Sequence, residues 1–317
     1  MKLNKKLMAI TVALSLSVSG AFAFDESAFD TQKISDGLSD FAEQLAVAVP
    51  QAATQQNVWA DAWIGSLLPG IRLGGGFNFA LTNINTEGLA KAASMLGIGG
   101  VENSYKFPVF TADLRVGGLI LPFDADIAVM KTGTLTYPEA MTGSELKAEI
   151  TTIGFDVRYA LVEGGLVLPK VSVGLGYFYN QGSFGISNDD AKADIDYNIH
   201  TMYLSAQVSK EFSIPVVRIG LTPFLGGRLF VSDADNDWSW KIKQTAYQTA
   251  LTALGTPYEG SGNVSKSIDY NNFQPQLFAG VGFNFALIQL TASVSIDPKT
   301  FKEDKTWSGA LSLRVRH

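Results

Sequence analysis

The chain has 317 residues, a formal net charge of -6, no cysteine, 31 glycines and only 17% charged residues. The length allows one large domain or two ordinary ones, and the acidic balance argues against nucleic acid as a partner. Without cysteine there is neither a disulfide framework nor a lipid-anchoring thiol, so an exported chain would depend on packing and backbone pairing alone.

The first element is "MKLNKKLMAITVALSLSVSGAFA", in which Lys2, Lys5 and Lys6 precede an apolar run from Leu7 to Val18 and Ala21-Phe22-Ala23 has the form of a cleavage site. This predicts a Sec signal peptide over residues 1–23, cleaved near Ala23. No later stretch approaches the ~20 consecutive apolar residues of a spanning helix. Residues 24–69 form the next unit, where Ile34, Leu38, Phe41 and Leu45 share one helical face, Asp30 or Thr31 offers a cap and Pro50 a stop. A short amphipathic helix of ~20 residues is predicted there.

From residue 70 to 317 the pattern changes to period two. In the first stretch Ile71, Leu73, Phe77, Phe79 and Leu81 fall on one parity, with Arg72, Gly74, Gly76, Asn78 and Ala80 on the other. Nine further stretches follow the same rule, centred on residues 110–120, 125–129, 153–161, 171–179, 202–208, 217–229, 277–285, 288–296 and 307–315. The face opposite the apolar one carries arginine, aspartate and much glycine, which suits a polar lumen better than the wet side of a sandwich. Segments of about ten residues that alternate apolar-out and polar-in are the mark of a transmembrane β-barrel, and lipid forces such a sheet to close. The connections after the second, fourth, sixth and eighth stretches ("LPF", "VEGGL", "FSIP", "AL") are short, and most of the others are longer. Short periplasmic turns and long external loops therefore alternate, with both ends of the barrel in the periplasm. The fold expected is all-β: an antiparallel transmembrane barrel of about ten strands with a short amino-terminal helix.

On this pattern the chain resembles bacterial single-chain outer-membrane β-barrel proteins from Gly70 to His317. That class closes on a terminal strand usually ending in an aromatic residue read by the barrel-assembly machinery; Leu311, Leu313 and Val315 fit, while His317 departs from it. The resemblance implies the bacterial outer membrane as location, with outer-membrane lipid and the assembly machinery as partners. The amino-terminal helix either packs under the barrel in the periplasm or plugs its lumen, as in long-chain fatty acid transporters. "GGGFNFAL" at residue 74 and its near copy "GVGFNFAL" at residue 280 fall on strands running in opposite directions, so shared surroundings rather than duplication explain them.

The remaining features are the loops and the inward charges. Residues 233–267 read as a long loop in which Trp240, Tyr247, Leu251 and Leu254 can share a helical stripe, and Glu87 to Leu96 as a second helical loop. Asp233, Asp235 and Asp237 have calcium-loop spacing, but Trp238 and Gln244 stand where glycine and glutamate are required. No nucleophile, metal or phosphate motif is found, and His200 shares parity with lipid-facing Met202 and Leu204. No cofactor, metal or enzymatic activity is expected, and a barrel hydrolase ranks last among the functions. Asp113, Arg115, Asp126, Asp156, Arg158, Arg218 and Arg228 all point into the lumen. They read as an ion-paired brace across a narrow barrel, with a selectivity filter as the alternative. The functional expectation is a small pore or uptake channel for small solutes; the alternative is a non-conducting surface protein whose external loops bind lipid, matrix or host.

Overall fold

The structure is a computed structural model and describes residues 31–65, 70–96, 101–118, 121–131, 135–137, 145–187, 191–214, 219–242, 261–268, 273–299 and 306–316. The signal sequence, Arg218, Tyr247, Leu251 and Leu254 lie outside them. In chain order the elements are α1 (Thr31–Gln56), β1 (Arg72–Asn85), α2 (Glu87–Met95), β2 (Ser104–Gly117), β3 (Phe123–Lys131), β4 (Leu135–Tyr137), β5 (Glu145–Glu163), β6 (Lys170–Ser187) and β7 (Ala191–Ser209). They continue with β8 (Phe212–Ile214), β9 (Ile219–Ile242), β10 (Ser261–Ile268), β11 (Gln274–Phe285), β12 (Ile288–Ile296) and β13 (Trp307–Arg316).

Every pairing is antiparallel, β1 is flanked by β13 and β2, and β7 pairs with β9, so the sheet closes on itself. The three-residue β4 pairs with β5 beyond the end of β3, β8 pairs with the first residues of β9, and β10 and β11 lie end to end along the same side of β9. The wall is thus a closed antiparallel barrel of ten strands. Closure satisfies each strand's backbone groups within the wall, as hydrocarbon surroundings require.

The parity read from the sequence is the parity observed. On β1, Leu73 and Phe77 are 49% and 70% exposed to the outside, while Asn78 and Thr82 are buried in the lumen. The outward face changes character along the taller strands. On β9 it runs Leu221, Leu225, Leu229 and then Asp235, Asp237, Lys241; on β7, Met202 and Leu204 occupy the lipid-facing half and Lys192 and Asp196 the other. An apolar band therefore sits at the short-turn end. A polar collar built from β5, β6, β7, β9 and β10 rises beyond it, on the side of the longer connections.

Two expectations are corrected. The stretch 233–267 is not a helical loop where it is described: β9 runs on to Ile242, β10 pairs with it from Lys241 to Ala234, and Trp240 is an inward, buried residue of that wall. Pro50 does not end the first helix, which continues to Gln56 with Pro50 inside it. Proline forfeits the helical hydrogen bond to the carbonyl four residues earlier, and burial of both halves of the helix against the surrounding wall outweighs that loss. Helix α2 forms where expected, and Gly37 of α1 meets Gly88 of α2 so closely that a Cβ at either would lie within 2.6 Å of the other's carbonyl oxygen.

Candidate functional site

The site is the lumen, and the amino-terminal segment fills it. Helix α1 lies inside the barrel rather than beneath it. Its first half makes an apolar core with the collar: Ile34, Leu38, Phe41 and Leu45 pack with Ala92 and Ala93 of α2, Ile195 and Tyr197 of β7, and Trp238 and Trp240 of β9. Phe41 and Trp238 meet edge to face at 5.6 Å between ring centroids. Lys266 of β10 reaches Glu43 at 2.7 Å.

Below that core the contacts are mixed: Ala53 packs with Phe178, Tyr203 and Phe230, and Val58 and Ala60 with Phe224 and Phe278, beside a set of polar contacts. Gln276 of β11 donates to Gln51 Oε1 at 2.7 Å, Gln55 donates to Ser293 Oγ at 2.8 Å, and Arg228 donates to the Thr54 carbonyl at 2.6 Å. The chain then descends as an irregular segment, residues 57–65, between two groups of inward charges. Arg115 pairs with Asp124 at 2.6 Å and with Asp156, lies 3.6 Å from Asp126, and donates to Asn57 Oδ1. Arg158 embraces both oxygens of Asp124 at 2.8 and 2.7 Å and donates to the Asp61 carbonyl. Opposite them, Arg314 binds Asp113 through Nε and Nη2, Asn78 through Nη2 and the Val58 carbonyl through Nη1. Trp59 lies between, with the Arg314 and Arg115 guanidinium groups 4.4 and 5.4 Å from its ring. Arginine suits these places because its planar fork can bridge a carboxylate and a backbone carbonyl while its face lies on an aromatic ring.

At the short-turn rim the segment is locked by one acid. Asp61 pairs with Arg316 at 2.6 Å and Lys170 at 3.3 Å and accepts from Gln289 at 2.9 Å, while Arg316 also reaches Glu211 at 3.1 Å. Burial alone would push the Asp61 carboxyl up, but Lys170 and Arg316 outweigh it and hold the group well below the usual carboxylate range. The Ile64 amide donates to Asp124 Oδ2, and Lys170 donates to the Trp63 carbonyl, closing the rim.

Six of the seven charges expected to line the lumen are thus brought into it: Asp113, Arg115, Asp126, Asp156, Arg158 and Arg228. The seventh, Arg218, is outside the described residues. They form a brace in which the plug's backbone is a partner. Asp124 and Arg314 are equally central, and their inward parity was visible in the sequence. Asn57, Trp59 and Asp61 carried no periodic signal. Some small inward residues of the wall make room for the plug, and others, such as Gly154, Gly176 and Gly226, for the rings of Phe178, Tyr203 and Phe278 on the wall itself. A Cβ on Gly74 would come within 2.7 Å of the Trp59 ring, one on Gly282 within 2.5 Å of the Ala60 Cβ, and one on Gly117 within 3.2 Å of Ile64.

A closed antiparallel wall with an apolar outer band and a polar lumen defines an outer-membrane β-barrel. Neither a protein-family model nor a curated protein matches the sequence. Among solved structures, the chain is similar to the translocator domain of the autotransporter NalP from Neisseria meningitidis, at 13% identity and a TM-score of 0.42 over 86% of this chain and 99% of that one. It is also similar to the outer membrane protease OmpT from Escherichia coli, at 7% identity and a TM-score of 0.43 over 78% and 96% of the two chains. A major outer membrane protein from Thermus thermophilus matches at 11% identity and a TM-score of 0.31 over 78% and 99%.

Proposed function

We propose that this barrel does not conduct in its resting form and acts at its outer face, as a surface protein of the outer membrane. The observation that supports this over the small-solute pore is the apolar core in the outer half of the lumen. A polar solute would have to part Phe41 from Trp238 and separate α1 from Ile195 and Tyr197, and each large apolar side chain brought to water costs about 1.5–3 kcal/mol. The hydrogen bonds of the inner half are the observation that favours the pore, since water can replace them, although the two small apolar clusters around Ala53 and around Val58 and Ala60 must part there as well. On that second reading passage requires the plug to leave.

The surface reading includes no catalysis. His200 faces outward at the upper edge of the apolar band, where its Nδ1 is 2.7 Å from the Tyr177 hydroxyl. Membrane lipid around the band, the barrel-assembly machinery during insertion, and Sec export with cleavage near Ala23 are the partners and processing it requires. The face it offers is charged with both signs: on the outside of the collar Asp196 stands directly opposite Asp237, and Lys192 opposite Lys241.

Planar-bilayer recording separates the readings. The purified full chain should be silent, and a folded variant lacking residues 24–56 should show conductance steps. Stable steps from the full chain would refute the sealed-barrel reading, and a folded but silent deletion variant would remove the pore reading altogether.

A further inference from the structure

The direction of α1 has a consequence for the chain's other end. Strand β1 begins at the short-turn rim, and residues 57–65 join that rim to α1 through contacts with Lys170, Arg316 and Asp124. From there the helix rises, so that its carboxyl-terminal turn lies at the level of Arg228 and Gln276 and its amino-terminal half among Ile195, Tyr197, Trp238 and Trp240. With 26 residues it is about 39 Å long at about 1.5 Å per residue, longer than the ~30 Å hydrocarbon thickness. Solvent reaches only one end of it: Gln32, Lys33, Asp36, Asp40 and Glu43 are exposed, and from Ala48 through Gln55 every residue is buried.

The collar that surrounds this exposed half stands beyond the apolar band, because the outward positions there are Lys192, Asp196, Asp235, Asp237 and Lys241. Lipid would exclude those charges. The collar also bears the longer connections, which in this architecture face the cell exterior. A chain exported into the periplasm, whose first strand starts at the periplasmic rim, has no topological need to visit the other side. This one does.

We propose that the barrel presents its own amino-terminal segment at the cell surface, with the lumen serving as the passage through which that segment is held. The exposed first turns of α1 stand at the collar, and the rest of the helix is the strut that holds them there. The wall packs closely on the segment that leads to the helix, with Gly74 against Trp59 and Gly282 against Ala60. The path of the chain is the same whether or not the barrel conducts.

The absence of native cysteine allows single reporters to be placed one at a time. Lys33→Cys and Asp40→Cys report on α1, Ser265→Cys on the outside of the collar, and Gly165→Cys on the short-turn rim. Intact cells treated with a membrane-impermeant maleimide should label the first three, and the fourth only after lysis. An epitope inserted between Ala23 and Phe24 should bind antibody on intact cells. If Ser265→Cys labels while the α1 reporters stay unlabelled until denaturation, or if the epitope is reached only after lysis, the inference is overturned. Labelling of Gly165→Cys alone on intact cells would invert the barrel and overturn it too. Heat-modifiable migration of each variant checks that it has folded.

Discussion

Asp61 shows how much a single residue can hold without announcing itself. It lies in "WADAW", a stretch with neither helical nor strand periodicity, and nothing in the sequence pairs it with Lys170 or Arg316. The structure buries it between them, and removing one partner of such a group leaves the others buried and uncompensated. Because Arg316 and Lys170 are themselves 21% and 24% exposed, the loss for Asp61→Asn should be about 1–3 kcal/mol, below the range for fully buried pairs. Ala62→Cys, fully buried in the parent, should become reactive to a small thiol reagent in the Asp61→Asn background if the rim has opened. The pH dependence follows from the depressed carboxyl. Its contribution is complete above the ordinary unfolded value of ~4 and fades only as pH falls through the lower folded value. The melting difference between parent and Asp61→Asn should therefore be the same at pH 8 and pH 5 and shrink below about pH 4. A difference that vanished by about pH 6 would show that Asp61 is not held as an ion.

At the scale of elements, the strands and the inward charges were legible, and a plug was one of two places open to the helix; its contacts with the wall were not legible. A strand declares itself through neighbours two apart, so Phe77, Asn78 and Phe79 suffice to assign faces; what fills the lumen depends on residues far away in sequence, as when Arg314 donates to the Val58 carbonyl across 256 positions. The collar was misread for a different reason. Along β9 the outward face changes from Leu225 and Leu229 to Asp235 and Asp237, while the inward face, which mixes Thr222 and Arg228 with Phe224 and Phe230 below, ends in Trp238 and Trp240. The alternation continues but its outward face turns from apolar to charged, because lipid surrounds the lower wall and water the upper. A reader holding one polarity constant sees a strand end where it does not. The fit between plug and wall can be tested as a coupling. Gly74→Leu should cost about 1–3 kcal/mol by overpacking against Trp59, and most of that cost should disappear in a Trp59→Ala background. Equal costs in both backgrounds, measured by thermal unfolding in detergent, would mean that the glycine answers to the neighbouring strand rather than to the plug.

For the whole molecule, the change of the outward face along β9 describes a barrel in two solvents, a membrane protein at its base and a water-soluble β-structure with an apolar core at its top. The same kind of change should then have opposite consequences at two heights of one strand. Leu225 is 60% exposed within the apolar band, and arginine there should cost about 2–4 kcal/mol of membrane stability. Asp235 has the same parity further along the strand and faces water, so Asp235→Arg should assemble like the parent. Turning inward reverses the outcome, since Trp238 belongs to the collar core and Trp238→Ala should cost about 3–5 kcal/mol through the cavity it leaves. The fraction of each variant that reaches the outer membrane in its heat-modifiable folded form should rank Asp235→Arg above Leu225→Arg and Trp238→Ala. If Asp235→Arg fails as badly as Leu225→Arg, lipid extends over the collar. The exposed half of α1 would then be enclosed by the bilayer rather than standing above it.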